Sequence, residues 1–137
     1  MLDDIFLDIY ARRMKTGKVI ISDNSLVEDH ELKVGHILAR TGSDVIFLPV
    51  GAGKSPDIKY NGRIWEIKSP VGSKRRTLEN NMRKAMTQSE NIIMDLRRIK
   101  INEDTCLREI RRQVELSGKR IRRLIAINKR EEIIRIK

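Results

Sequence analysis

The chain predicts a single α/β (α+β) domain, and three observations carry that expectation. Asn61-Gly62 stands between two runs of alternating β-forming residues, the strongest short-range signal for a two-residue hairpin. Apolar residues recur at helical spacing over residues 25–40 before it and 77–96 after it. An apolar run over residues 44–50 suits a buried strand. At 137 residues, 39% hydrophobic and 35% charged, the chain can enclose one ordinary core, and its 4% aromatic content makes that core aliphatic.

Residues 2–14 place Leu2, Ile5, Phe6, Ile9 and Tyr10 at helical spacing, with Arg12, Arg13 and Lys15 toward the C-terminal end, where cations suit the dipole. Gly17 ends that helix, and residues 18–22 read as a short extended run. Asp23-Asn24-Ser25 reads as a turn and N-cap for the helix over 25–40, with Glu28 at the capping-box position and Val27, Val34, Ile37 and Leu38 inward. Glu31 precedes Val34 and Gly35 by three and four residues and so points along the helix edge toward the sheet, although a surface carboxylate would read alike. Gly51-Ala52-Gly53-Lys54-Ser55 is not a phosphate loop, because Leu48 stands where the first glycine is needed and Pro56 follows the serine. A nucleoside triphosphatase is thereby excluded, and the glycines serve as a flexible crossover.

The hairpin turn sets a register. With Asn61 and Gly62 as loop residues, Tyr60 faces Arg63, Lys59 faces Ile64, Ile58 faces Trp65 and Asp57 faces Glu66. Period-two alternation puts Asp57, Lys59, Ile64, Glu66 and Lys68 on one face and Ile58, Tyr60, Arg63, Trp65 and Ile67 on the other, which is apolar enough to be core. Two carboxylates directly opposite, with Cβ atoms roughly 4.5–5.5 Å apart, repel each other. Lys68 supplies one compensating charge, and a hard divalent cation such as Mg²⁺, typically held by one or two carboxylates, would supply more. A solvated strand face with cross-strand ion pairs gives the same pattern.

Beyond the hairpin, Lys74, Arg75 and Arg76 form a basic loop. The helix expected over 77–96 buries Leu78, Met82, Ala85, Met86, Ile92, Ile93 and Leu96, and aligns Thr77, Asn80, Lys84, Gln88, Asn91 and Asp95 in one polar row suited to phosphate and base contacts. Residues 97–101 alternate basic and apolar and read as a strand. Asp104 or Thr105 caps a helix to Leu116 with Leu107, Ile110 and Val114 inward and Arg108, Arg111 and Arg112 outward, and Ser117-Gly118 ends it. Residues 120–127 and 132–136 form a terminal hairpin.

A net charge of +10 favours a polyanionic partner, nucleic acid first and an acidic protein second. The single cysteine, Cys106, excludes an internal disulfide and a multi-cysteine zinc site, and fits a small buried residue of a helix. His30 and His36 lie on different helical faces and neither pairs with a nearby ligand motif. The sequence contains no run long and apolar enough for a transmembrane helix, and the acidic N-terminus does not begin a signal-type segment.

Pro56-Asp57, followed after a gap by Glu66-Ile67-Lys68, resembles the core motif of the PD-(D/E)xK nuclease superfamily. The element order of helix, three strands, helix and strand is similar to that superfamily's shared core, which implies a mixed central sheet flanked by helices. Here an N-terminal helix and a C-terminal β-hairpin would be additions. More narrowly, residues 28–137 resemble the C-terminal tRNA nuclease domain of CdiA-type contact-dependent growth inhibition toxins and related polymorphic toxins. The matching residues are Glu31 with Gly35 and Leu38, Asp44-Val45-Ile46-Phe47-Leu48-Pro49, Ser55-Pro56-Asp57, Glu66-Ile67-Lys68, Thr77, Gln88 and Asn91-Ile92-Ile93-Met94-Asp95. The expected division is residues 1–24 as a packing helix and connector and residues 25–137 as the toxin domain.

The resemblance implies roles for individual residues. Asp57, Glu66 and the Ile67 backbone carbonyl would hold Mg²⁺ or Mn²⁺, with Zn²⁺ a further candidate. Lys68 would orient the attacking water, and Glu31 would support the metal directly or through water, with Glu28 its rival. Thr77, Lys84, Gln88, Lys74, Arg75 and Arg76 would contact substrate. The implied activity is metal-dependent cleavage of tRNA in the target-cell cytoplasm, by a domain exported as the C-terminal part of a larger toxin or with a delivery partner and neutralised by an immunity protein that charge predicts to be acidic. A PD-(D/E)xK DNA endonuclease and a non-catalytic basic nucleic-acid-binding module are the alternatives.

Overall fold

The computed structural model describes residues 15–49 and 57–137; the helix expected over 2–14 and the Gly51 to Ser55 crossover lie outside the described residues. Among the described residues the architecture is mixed α+β, one seven-stranded sheet with three helices. In chain order the elements are β1 (Val19–Ile21), α1 (Asp29–Ala39), β2 (Val45–Phe47), β3 (Asp57–Tyr60), β4 (Arg63–Lys68), α2 (Arg75–Gln88), β5 (Asn91–Asp95), α3 (Glu103–Ser117), β6 (Arg123–Ile127) and β7 (Ile133–Arg135). Strand order across the sheet follows the sequence. The β1–β2, β4–β5 and β5–β6 pairs are parallel, and β2–β3, β3–β4 and β6–β7 are antiparallel.

The central hairpin has the register read from its turn. Asp57 pairs with Glu66, Ile58 with Trp65, Lys59 with Ile64 and Tyr60 with Arg63. Asn61 and Gly62 take φ of 53° and 73°, the left-handed values that two-residue turns require. Ile58, Tyr60, Trp65 and Ile67 are buried against α1 together with Val34, Ile37, Leu38, Val45 and Phe47. The opposite face carries Ile92, Met94, Leu124 and Ala126, covered by Leu78, Met82 and Ala85 of α2 and Cys106 and Ile110 of α3. Two aliphatic layers thus sandwich β4, β5 and β6.

Four local expectations are corrected. Ser25 is not the N-cap of α1, because its hydroxyl donates to the Phe47 and Leu48 carbonyls; Glu28 caps the helix instead. The helix expected over 77–96 ends at Gln88, and residues 91–95 form β5, all five of them buried. Residues flanked by strands on both sides and by helices on both faces need no polar alternation, so Ile92-Ile93 fits a central strand as well as a helical stripe. Residues 97–101 form no strand: Gly72 and Ile99 make one isolated bridge, and the Arg97 side chain turns back to Asp95. Asn102, rather than Asp104 or Thr105, caps α3 by accepting from Thr105 N at 2.8 Å.

The terminal hairpin is β6–β7, its turn held by Asn128, whose side-chain oxygen accepts from the Arg130 and Glu132 amides. β1, read as a short extended run, is the edge strand of the sheet beside β2.

Gly35 sits where α1 crosses β2, and a Cβ there would stand 2.7 Å from Phe47 Cε2, a ring that is fully buried. Gly35→Ala should therefore lower stability by about 1–3 kcal/mol through overpacking, although alanine is the better helix former. Urea denaturation of the two proteins checks this, and equal or greater stability of the alanine variant would contradict the close packing.

Candidate active site

The arrangement around Asp57, Glu66 and Lys68 follows from pleat and crossover. Glu66 is in register with Ile92 in the parallel β4–β5 pair, so its side chain points to the face that α2 covers. Asp57, directly opposite Glu66, points the same way. α2 covers this face over β5 and the Lys68 end of β4, whereas Ile20 and Lys59 on the outer strands and Ile64 at the turn end of β4 are exposed. The carboxylates therefore lie where the helical cover stops.

Glu66 is only 3% exposed, which is not the solvated strand face that alternation alone would allow. The Lys68 ammonium lies 3.3 Å from Glu66 Oε1 as an ion pair, without the alignment of a hydrogen bond. Asp57 Oδ1 and Glu66 Oε1 are the buried side-chain oxygens without a hydrogen-bond partner among the described residues. Burial, then contact with the Asp57 carboxyl and its negative charge, push the Glu66 carboxyl up to about 8 against the opposing pull of Lys68. Two orphaned carboxylate oxygens facing each other beside one ammonium fit a hard cation's ligand set. Ile67 pairs with Ile93 of β5 but lies past the last residue of β4 that β3 pairs with.

Glu31 is placed apart from this trio. It is buried on α1, the helix packed on the other face of the sheet, and its carboxylate accepts from the Glu28 backbone amide at 3.0 Å. No hydrogen bond or ion pair joins it to Asp57, Glu66 or Lys68 among the described residues. His30 does acquire carboxylate neighbours that its spacing from His36 did not reveal: Glu28, His30 and Glu31 bring ligand atoms within 4.8 Å of one another on the first turn of α1.

The expected substrate-contacting residues spread along α2. Lys74, Arg75 and Arg76 are exposed at its N-terminal end, six to eight residues after Lys68. Because α2 runs back along the sheet as the crossover from β4 to β5, Lys84 and Gln88 stand on its last turns, Gln88 roughly 20 Å along the axis from Arg75. Thr77 is half-buried in the first turn. The polar row does not continue to Asn91 and Asp95, which are buried on β5, where the Asn91 amide donates to the Ile64 carbonyl.

Asp95 escaped the sequence reading as a structural group. Fully buried at the end of β5, it accepts from Ser69 Oγ and from Arg97 N, Nε and Nη2. Arg97 Nη2 also donates to the His30 carbonyl of α1, and Arg98 donates to both Ser69 Oγ and Ser69 O. The residue next to Lys68 is thereby fastened to the neighbouring strand and, through Arg97, to the opposite helical layer. The signal available in sequence was an Asp-x-Arg pair directly after an apolar run.

The sequence model of the contact-dependent growth inhibition CdiA C-terminal domain matches residues 54–133. A solved chain from the CdiA-CT/CdiI toxin and immunity complex of Burkholderia pseudomallei superposes with a TM-score of 0.67 at 20% identity, covering 88% of this chain and 99% of that one. At that identity the likeness is one of fold. No curated protein matches the sequence significantly.

Two measurements probe this geometry. The Glu66 carboxyl titrates near 8 when folded against an ordinary 4.5, so folding is favoured most when both states are protonated, below pH 4.5, and that contribution is lost as pH rises to 8. In chelator, the thermal midpoint of the wild type should fall across that window relative to Glu66→Gln; parallel curves would refute a shifted Glu66. Asp95→Ala leaves Arg97 without its buried partner and should cost about 3–5 kcal/mol in urea denaturation.

Proposed function

The chain belongs to the contact-dependent growth inhibition CdiA C-terminal domain family, and from that premise we propose that it is a metal-dependent nuclease toxin domain of the PD-(D/E)xK kind, acting on tRNA. The observation that carries the reading is the pair of buried, unpartnered oxygens on Asp57 and Glu66 with Lys68 beside them. Asp57, Glu66 and the Ile67 carbonyl would hold Mg²⁺ or Mn²⁺. When bound, such an ion acidifies a water and screens charge building on a phosphodiester. Glu66 must give up its proton to serve as a ligand, and its raised pKa makes metal loading a pH-dependent exchange of proton for cation. Lys68 pairs with Glu66 at 3.3 Å and would orient the water and stabilise the developing negative charge on phosphate. Glu31 has its carboxylate engaged with the α1 N-terminus, so any support it lends the site requires that bond to yield.

Lys74, Arg75 and Arg76, exposed at the start of α2, supply backbone charge neutralisation without sequence readout. The scarcity of aromatic residues disfavours a stacking platform for single strands and favours recognition of a folded RNA by shape and phosphates. The structural neighbour comes from a toxin and immunity complex, and we assign this chain an immunity partner too, acidic to complement a net charge of +10. Delivery as the C-terminal part of a larger protein into a target-cell cytoplasm belongs to the same reading. No helix among the described residues is long and apolar enough to cross a membrane.

The decisive assay incubates total tRNA and linear duplex DNA with wild type and Asp57→Ala in Mg²⁺, Mn²⁺ or chelator. Metal-dependent loss of intact tRNA by the wild type alone is the expected outcome. Cleavage of DNA alone would replace the substrate, and cleavage of neither would leave a basic binding module.

A further inference from the structure

α2 and α3 lie side by side because each is a crossover between parallel strands, β4 to β5 and β5 to β6. Both begin at the sheet end that carries Lys68. Between them opens a groove of about 500 Å³ lined by Arg75 of α2 and Thr105, Arg108, Glu109, Arg111 and Arg112 of α3. Thr105, Arg108 and Arg112 advance by three or four residues and form a row, with Arg111 beside it and Glu115 at the end remote from Lys68.

The cations of this groove are not evenly engaged. Arg112 is held by Glu109 at 2.9 Å and approached by Glu79 at 3.7 Å. Glu109 is buried, and the hydrogen bond from Arg112 is the largest influence holding its carboxyl below the usual range; burial opposes, while Gln113 and the charges of Arg112 and Arg75 reinforce it. That acid is therefore consumed within the fold. Arg75, Arg108 and Arg111 are exposed and make no ion pair among the described residues. Four arginines line the groove against two carboxylates, Glu109 and Glu115, so it carries a net positive charge that an anion would balance. The guanidinium fork matches phosphate oxygens bidentately.

We infer that the α2–α3 groove is a phosphate track for the substrate, in which Arg75, Arg108 and Arg111 grip the backbone of a polynucleotide whose scissile bond lies at Asp57, Glu66 and Lys68. The inference rests on the nuclease reading and extends it, because α3 held no place in the site expected from sequence. The trio and both helices share one face of the sheet, and both helices begin at the end that carries Lys68. An acidic protein surface is the competing occupant; the groove's place on the same sheet face as the carboxylate trio favours the polynucleotide.

The experiment measures dissociation constants for tRNA, a DNA duplex and poly-glutamate as a function of salt, using Asp57→Asn to silence cleavage, alone and combined with Arg108→Gln and Arg111→Gln. The expected result is a rise in Kd for the polynucleotide of at least about tenfold and a salt slope shallower by about 1.5–2, the signature of two lost phosphate contacts. The Arg108→Lys/Arg111→Lys combination should keep the slope. Unchanged polynucleotide affinity and slope would overturn the track, as would weakened binding of poly-glutamate alone, which assigns the groove to an acidic protein. If the Asp57→Asn protein binds neither polynucleotide, the nuclease reading fails together with the track, an outcome distinct from the others.

Discussion

The structure is arranged around two carboxyl groups paired across a hairpin, Glu66 buried and Asp57 half-buried. Asp57 and Glu66 are cross-strand partners of the central hairpin, and each has a buried oxygen without a hydrogen-bond partner. Like charges so placed are unfavourable in a sheet, and burial raises the cost further. The protein meets the problem by letting Glu66 keep its proton to about pH 8 and by bringing the Lys68 ammonium to 3.3 Å. The pair sits at the border between helix-covered and open sheet, the setting on which the proposed cation site rests.

Everything that positions the pair is conventional sheet physics. The Asn61-Gly62 turn fixes the register, so a slip of one residue would send Asp57 and Glu66 to the α1 face and Ile58 and Trp65 to the other. The two crossovers place the starts of α2 and α3 at the Lys68 end, the strand end at which parallel sheets gather ligands. Asp95 then ties that end together, taking hydrogen bonds from Ser69 and Arg97 while Arg97 reaches the His30 carbonyl of α1. The strand end beside Lys68 is thus joined to α1 through a buried carboxylate and Arg97, not by apolar packing alone.

The sheet edge and the basic surface serve different ends. β1 adds a parallel strand beside β2, and Gly17 admits the close approach there: its amide donates to the Ala39 carbonyl at 2.7 Å, and a Cβ would strike the Ser43 backbone. Four arginines line the α2–α3 groove against two glutamates, on the face shared with the carboxylates.

By itself the sequence determined the local, short-range facts: the hairpin and its register, the α+β class, the Asp57–Glu66–Lys68 grouping, the terminal hairpin and the helix ended by Gly118. Each rests on a turn residue or on period-two alternation, which act over a few residues. Only the tertiary structure decided that Asn91 to Asp95 is a strand, because Ile92-Ile93-Met94 suits a buried helix stripe as well as a strand enclosed on four sides, and what encloses it is distant in sequence. It also decided that Glu66 is buried rather than solvated, that Glu31 caps its own helix, and that Arg108 and Arg111 join Arg75 across a groove. Burial and charge convergence depend on which elements pack together, and no spacing along one strand or helix encodes its neighbour.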